Sequence, residues 1–205
     1  WVRHLPIARI RPLWSWDIGM SHLEEKRTAA RLRFLQREKN RLASRPLPTR
    51  ALNEECGVFG IIGAEADVAP LIALGLHALQ HRGQEAAGII TFDGERFHQE
   101  KASGLVSNHF MDEQVYGTLK GRAGIGHTRY STTGGSGLRN VQPFYADLDR
   151  GGLAFAHNGN LTNARTLRAD LIREGRIFHT TSDSEIFVKL IAQSRKLTIP
   201  DRIVD

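Results

Sequence analysis

The sequence predicts an α+β fold in which β-sheets are covered by helices, and three observations support this. Apolar, strand-like segments dominate the middle of the chain, and two segments with helical periodicity follow them. One hairpin is marked by Asp93-Gly94, a pair that favours a tight turn between two strands. The elements therefore run strand, helix, hairpin, further strands and then helices, an order typical of sheets packed against helices.

Each element follows from a local pattern. Apolar runs and turn-flanked segments predict strands over 56–62, 86–92, 95–101, 122–129 and 153–157. Spacings of three and four residues between apolar positions predict helices over 67–80, 161–174 and 184–194. Ser182 with Glu185 matches a capping box at the start of the last helix, and Pro200 is expected to break the chain after it.

The first 50 residues differ from the rest in charge. They hold 12 Lys or Arg side chains and 4 acidic ones, whereas the remaining residues hold 16 basic and 18 acidic side chains. Residues 21–42 are predicted to form a basic helix that starts with a capping box at Ser21 and Glu24 and ends before Pro46 and Pro48. A solvated helix outside the domain is favoured, and a nucleic-acid arm or an organelle-targeting segment is left open.

Two regions are accordingly expected. Residues 1–55 form a basic, partly helical leader or propeptide that is removed or is not native, and residues 56–205 form one domain. The acidic balance of the second region gives no reason to expect nucleic-acid binding there. No apolar run approaches the length of a membrane span, so no membrane association is expected either.

Cys56 is the only cysteine. A disulfide within the chain and a cysteine-rich metal site are therefore excluded, and a reduced, cytoplasmic setting is expected. Five histidines show no metal-ligand spacing and are interpreted as ordinary residues; they are His77, His81, His98, His109 and His179.

Cys56 is also the candidate nucleophile, although a lone cysteine is more often a small buried hydrophobic residue. It follows the polar stretch Asn53-Glu54-Glu55 and begins an apolar strand. If the chain were cut before Cys56, one residue would carry both a thiol of pKa about 8.5 and an α-amine of pKa about 8. The amine could then take the thiol proton directly or through one water, without a histidine.

Three further groups suit a free amino acid as substrate. Arg129 ends a predicted strand, where its planar guanidinium could hold a carboxylate with two hydrogen bonds or form a surface salt bridge. Asn158-Gly159 could supply two N–H donors to an oxyanion or form a simple turn. Asp183 could bind an ammonium group or cap the helix that it precedes.

Six sequence blocks in order resemble the class II glutamine amidotransferase domain and, more narrowly, the amidophosphoribosyltransferase family. Several distinct blocks in the right order are a specific signal, although each alone is weak. The blocks are Cys56-Gly57-Val58-Phe59-Gly60, His81-Arg82-Gly83-Gln84-Glu85-Ala86-Ala87-Gly88, His127-Thr128-Arg129-Tyr130-Ser131-Thr132, Gln142-Pro143-Phe144, His157-Asn158-Gly159-Asn160-Leu161-Thr162-Asn163 and Thr181-Ser182-Asp183-Ser184-Glu185.

The resemblance implies an N-terminal-nucleophile hydrolase fold, in which two antiparallel sheets lie between helix layers. It implies that Cys56 attacks glutamine while Asn158 and Gly159 hold the oxyanion, and that Arg129 and Asp183 bind the amino-acid end. Tyr130, Thr132 and Arg82 are implied as further substrate-binding residues, the last with a less defined role. The ammonia would convert phosphoribosyl pyrophosphate to 5-phosphoribosylamine, the first step of purine synthesis.

The chain departs from the family pattern in two respects. We expect it to be a fragment without the phosphoribosyltransferase domain, able at most to hydrolyse glutamine, and a 55-residue leader is longer than family propeptides. For the full-length enzyme the resemblance implies Mg²⁺, a homo-oligomer and, in some members, a 4Fe–4S cluster whose cysteines would largely lie elsewhere. Two alternatives stay open: a glucosamine-6-phosphate synthase-type glutaminase, and a silent module in which Cys56 keeps its peptide bond.

Overall fold

A computed structural model describes Arg33, Arg37, Asn40 and the ranges 56–130 and 137–205. The chain divides into two compact units, Trp1–Arg41 and Leu42–Asp205. In the first unit, Arg33, Arg37 and Asn40 are helical and exposed, consistent at these positions with the predicted basic helix. The predicted capping box at residues 21 and 24 and the predicted boundary between residues 55 and 56 lie outside the described residues.

The larger sheet contains four strands, and each neighbouring pair is antiparallel. The strands are β1 (Gly57–Ile61), β2 (Ala86–Phe92), β3 (Phe97–Ser103) and β4 (Ala123–Arg129), in the order β1-β4-β2-β3. Both central strands, β2 and β4, have the bounds predicted for them to within one residue.

The predicted hairpin between β2 and β3 is confirmed, with Phe92 opposite Phe97. Gly94 takes the positive φ of 109° that the turn needs. Asp93 acts differently from expectation: its backbone has no positive φ, and its carboxylate oxygen accepts hydrogen bonds from the N–H groups of Glu95 and Arg96, both at 2.8 Å. The turn is thus closed by a side chain as well as by a glycine.

The smaller sheet pairs β5 (Phe144–Leu148) with β6 (Gly151–Phe155) in antiparallel register, with Phe144 opposite Phe155. The expected strand over 153–157 therefore begins and ends two residues earlier. Strand β5 was not predicted, because only one of its five residues, Phe144, is fully buried.

Six helices connect and cover the sheets in the part of the chain that the structure describes. They are α1 (Ala69–Ala78), α2 (Val106–His109), α3 (Glu113–Thr118), α4 (Ala164–Arg173), α5 (Ser184–Gln193) and α6 (Ile199–Val204). The expected break at Pro200 is wrong, because this proline lies in the first turn of α6, where a missing N–H costs nothing. The hydroxyl of Thr198 caps α6 by accepting the N–H of Asp201 at 3.2 Å.

Helix α1 packs closely on the larger sheet because the sheet offers glycines beneath it. A Cβ atom at Gly126 of β4 would lie 2.6 Å from Ile72 Cγ2 and 2.7 Å from Leu76 Cδ1. Both α1 side chains are fully buried in the hydrophobic core. In the reverse sense, Gly75 of α1 leaves room for the ring of Phe59 on β1.

The smaller sheet covers the opposite face of the larger one. Gly88 of β2 gives room to the backbone of Gln142, whose oxygen would lie 2.4 Å from a Cβ atom there. Farther along, the rings of Phe97 and Tyr145 are 5.1 Å apart. On its other side β6 packs against α5 through Phe155 and Phe187, whose ring centroids are 5.6 Å apart. The predicted arrangement of two antiparallel sheets between helix layers is confirmed.

Candidate active site

A cavity of about 550 Å³ lies where β1 begins, β4 ends and the segments after β6 and before α5 meet. Five residues that the sequence singled out line it: Cys56, Arg129, Tyr130, Gly159 and Asp183. They come from positions spread over more than half of the chain. The fold therefore brings the candidate nucleophile, guanidinium and carboxylate to one cavity, while their individual roles stay predictions.

Cys56 directly precedes β1 and is half-buried. Its backbone has φ of 46°, in the left-handed region that residues with a side chain rarely adopt. Two side chains hold its carbonyl oxygen: Arg82 Nε donates at 2.9 Å and Asn158 Nδ2 donates at 3.3 Å. The thiol sulfur lies 4.0 Å from the carbonyl oxygen of Tyr130 and borders the cavity.

Arg82 and Asn158 thus contact the candidate nucleophile through its backbone and are not among the cavity-lining residues. Arg82 ends a short 3₁₀ turn, Gln80–Arg82, that follows α1. Its contact indicates that it positions Cys56, and substrate binding by Arg82 stays a prediction. Thr132, also predicted to bind substrate, lies outside the described residues.

The turn that follows β6 carries the candidate oxyanion donors. Gly159 has φ of 155°, and a Cβ atom at this position would lie 2.9 Å from Nε2 of His157. The backbone conformation therefore favours glycine here, and a larger residue would also have to displace the His157 ring. Without a side chain, the Gly159 backbone is open to the cavity, as an oxyanion donor would need to be.

Asp183 stands at the N-cap position of α5, but its side chain does not cap that helix. Instead its Oδ2 accepts the backbone N–H of Leu161 at 2.7 Å, which ties the start of α5 to the turn after β6. The carboxylate also faces the cavity. The helix-capping alternative for Asp183 is therefore wrong, and an ammonium-binding role is compatible with its position.

The predicted capping box of Ser182 and Glu185 is also wrong. The carboxylate of Glu185 accepts the N–H groups of His179 and Thr180, at 3.0 and 2.8 Å, and the Thr180 hydroxyl at 2.8 Å. Burial would raise the pKa of Glu185, but the His179 N–H and the Thr180 groups outweigh burial and lower it. Glu185 thus stabilises the segment before α5 rather than the first turn of the helix.

Among the cavity-lining residues for which sequence reasoning predicted no site role are His127, Asn140 and Gln142. All three are polar and nearly completely buried, with exposed fractions of 1%, 4% and 7%. Gln142 and His127 belong to the sequence blocks, but those blocks predict no individual role for them. A useful signal would have been their polarity next to apolar or glycine-rich strands, because buried polar groups are retained where they have partners or a function.

His127 lies on β4 beneath the cavity. Burial lowers its pKa to about 4, assisted by electrostatic repulsion from Arg129 and from the His157 side chain, and only partly opposed by a polar contact with the His157 backbone. Neither ring nitrogen has a well-formed hydrogen bond among the described residues. His127 is therefore neutral at pH 7, so it adds no charge beside Arg129.

The described ranges contain no group of three His, Cys, Asp or Glu side chains placed to hold a metal ion. None of the helices within 56–130 and 137–205 combines the length and apolarity needed to cross a membrane.

Comparison with known proteins gives consistent matches. A family model described as a glutamine amidotransferase domain matches residues 127–204. An amidophosphoribosyltransferase of Rhizobium etli is 56% identical over 160 residues, which are 78% of this chain and 32% of that protein. One of Lacticaseibacillus casei is 49% identical over 148 residues, covering 71% of this chain and 75% of that protein.

A solved structure of the glutamine phosphoribosylpyrophosphate amidotransferase of B. subtilis, in complex with ADP and GMP, superposes with a TM-score of 0.65 at 44% identity. The match covers 71% of this chain and 31% of the B. subtilis chain. The chain spans about a third of the length of the Rhizobium relative. Identity, coverage and fold agree, and the chain belongs to the amidophosphoribosyltransferase family.

Proposed function

We propose that this domain hydrolyses glutamine to glutamate and ammonia once the chain begins at Cys56. The observation that supports this most is the single cavity onto which a thiol, a guanidinium, a carboxylate and an open glycine backbone all converge. Those groups match the parts of glutamine: Arg129 suits the α-carboxylate, Asp183 the α-ammonium and Cys56 the side-chain carbonyl carbon.

The reaction proceeds through a thioester. The sulfur of Cys56 attacks the side-chain carbonyl carbon of glutamine while the thiol proton passes to the α-amine of Cys56, and the carbonyl oxygen becomes an oxyanion. The C–N bond then breaks, and the nitrogen leaves as ammonia with the proton that the Cys56 amine took from the thiol. The Cys56 amine then takes a proton from a water that attacks the thioester carbon, the C–S bond breaks, and this proton passes to the sulfur as glutamate leaves.

The oxyanion would be held by the Gly159 N–H and by Asn158. Asn158 already donates one N–H to the Cys56 carbonyl at 3.3 Å. Its amide nitrogen carries a second hydrogen, so it can stabilise an oxyanion without leaving Cys56. These donors act mainly in the tetrahedral intermediate, where negative charge has developed on the substrate oxygen.

In a longer protein resembling its relatives, the ammonia would displace the pyrophosphate of phosphoribosyl pyrophosphate and give 5-phosphoribosylamine, the first step of purine synthesis. The names of the Rhizobium and B. subtilis relatives support this assignment. A cytoplasmic location is supported by the single, unbridged cysteine, whose thiol must stay reduced to react.

A cleavage experiment tests the glutaminase function. Residues 53–55 are replaced by a recognition sequence for a protease that cuts directly before Cys56, and the chain is cut only after it has folded. We expect glutamate production from glutamine after the cut and none before it, because the uncut chain has no α-amine on Cys56. The matched variant Cys56→Ser, cut in the same way, should be at least ~10²-fold slower because a hydroxyl is harder to deprotonate.

Two results would refute the mechanism. One is equal turnover by the cut chain and by an uncut chain whose intact N-terminus is verified by mass spectrometry. The other is a Cys56→Ser rate within a few-fold of the parent. A cut, folded chain with no activity would instead favour a catalytically silent module.

A further inference from the structure

Two buried side-chain amides connect the segments that carry the oxyanion donors and Asp183. Asn140 ends a 3₁₀ turn (Leu138–Asn140), and Gln142 lies between that turn and β5. In each case one amide bonds twice to one distant residue: Gln142 to His157, and Asn140 to Thr181.

Gln142 continues the smaller sheet beyond the end of its backbone pairing. Phe144 pairs with Phe155, and the same antiparallel register extended by two residues would place residue 142 opposite residue 157. The Gln142 side chain makes that pair in place of its backbone. Its Oε1 accepts the His157 N–H at 2.7 Å and its Nε2 donates to the His157 carbonyl at 3.1 Å. The residue so fixed directly precedes Asn158-Gly159.

Asn140 makes an equivalent contact with the segment before α5. Its Oδ1 accepts the Thr181 N–H at 2.9 Å, and its Nδ2 donates to the Thr181 hydroxyl at 2.9 Å. Thr181 lies two residues before Asp183, whose own carboxylate bonds to Leu161. Asn140 is 4% exposed, so water does not readily replace these bonds.

We propose that Gln142 and Asn140 are positioning residues with separate effects, Gln142 on the oxyanion turn and Asn140 on the segment that presents Asp183. This rests on the proposed glutaminase function. Donors that act on the intermediate govern kcat, whereas groups that bind the ammonium in substrate and intermediate alike govern KM. Displacing either segment by a fraction of an ångström therefore has a distinct kinetic signature.

The first test is the steady-state kinetics of glutamine hydrolysis by the cut chain. Gln142→Met, which removes both bonds at similar size, lowers kcat about 10-fold or more with little change in KM. Asn140→Leu raises KM about 10-fold or more with a smaller effect on kcat. Asn140→Asp rescues KM in part, because the Thr181 hydroxyl can turn and donate to the new oxygen. Gln142→Glu does not rescue kcat, because it places an oxygen against the His157 carbonyl.

Arg202→Met is the matched control for general destabilisation. Arg202 is buried and bonds to Asp149 and to the Lys196 carbonyl, away from the cavity. This variant lowers the melting temperature and leaves kcat and KM unchanged. Equal changes of kcat and KM in all three variants, or no change in the two amide variants, overturn the proposal.

Hydrogen exchange on the full chain provides a readout independent of activity. Gln142→Met accelerates exchange of the His157 amide, and Asn140→Leu accelerates exchange of the Thr181 amide, each without affecting the other. If the parent is inactive but the two variants show this exchange pattern, the glutaminase function is refuted and the two contacts are still supported. An active parent whose variants exchange as the parent does refutes the positioning role.

Discussion

Cys56 is constrained by its backbone as much as by its side chain. Its φ is 46°, and the side chains of Arg82 and Asn158 both donate hydrogen bonds to its carbonyl oxygen. Such a conformation costs on the order of 1 kcal/mol or more for a residue with a side chain. The angle is defined by the preceding carbonyl group, so a cut before Cys56 removes this cost and frees the amine that the mechanism needs.

Arg129 and Asn158 should affect different kinetic constants. Arg129→Lys should chiefly raise KM for glutamine, because a point charge cannot reproduce the two hydrogen bonds of a guanidinium with a carboxylate. Asn158→Ala should chiefly lower kcat, by about 10²-fold if it behaves as other oxyanion donors do. The measurement is steady-state glutamine hydrolysis by the cut chain, with folding verified by circular dichroism. An unchanged kcat for Asn158→Ala, or unchanged glutamine saturation for Arg129→Lys, contradicts these roles.

His127 should make the folded state sensitive to acid. Its pKa of about 4 lies below the ordinary value of 6.5, so the unfolded chain takes up this proton first as the pH falls. The contribution to stability is complete above pH 6.5 and is lost as the pH falls towards 4, by on the order of 2 to 3 kcal/mol. Urea unfolding at several pH values should show this slope in the parent.

The matched variant for that measurement is His127→Asn, which keeps a polar side chain without titrating in this range. Its stability should fall less between pH 6.5 and 4 than that of the parent, even if it is less stable at pH 7. Subtracting the variant's pH profile of stability from that of the parent removes the contribution of carboxylates such as Glu185, because they are present in both chains. Parallel pH profiles would show that His127 does not remain neutral in the folded protein.

Among the elements, the contact of α1 with β4 is the one most dependent on glycine. Gly126→Ala should destabilise the domain by about 1 to 3 kcal/mol, because the new methyl group meets the fully buried side chains of Ile72 and Leu76. Gly117→Ala in α3 is the control: nothing lies within 4 Å of its Cβ position, and alanine should be neutral or stabilise the helix by up to about 1 kcal/mol. Equal urea midpoints for the two variants would contradict close packing of α1 on β4.

The elements predicted best from the sequence are those with a strong local signal. Strand β2 was predicted to the residue, since it is mostly apolar and ends directly before Asp93-Gly94. Helices α2 and α3, of four and six residues, are too short to show a helical period. Pro200 was misinterpreted because a proline is equally suited to a break and to the first turn of a helix.

For the site the same distinction holds. Cys56, Arg129, Gly159 and Asp183 lie next to strand or helix ends, where sequence blocks mark them, and all four reach the cavity. The bonds of Gln142 and Asn140 join residues 15 and 41 positions apart. A side chain that bonds to a distant backbone leaves no periodic or adjacent pattern, so sequence reasoning could not predict these contacts.

Over the whole molecule, the two sheets enclose different spaces at their two ends. Near the active site the Gln142 backbone lies directly against Gly88. At the far end a cavity of about 400 Å³ opens between the sheets, bordered by apolar side chains that include Ile90, Ile125 and Ala154. The contact with Gly88 therefore fixes the Gln142 backbone beside the active-site cavity, which suits a site whose donors must keep fixed positions.

The antiparallel pairing of β1 with β4 also determines when the active site can form during synthesis and folding. Gly57 pairs with Thr128, and the contact between Asn158 and Cys56 spans 102 residues. Contacts between such distant residues form late in folding, because the intervening chain must first be ordered. During synthesis β1 emerges before its partner strand exists, so the thiol reaches its neighbours only when nearly the whole domain has been made. A nascent or partly folded chain therefore has a cysteine but no active site.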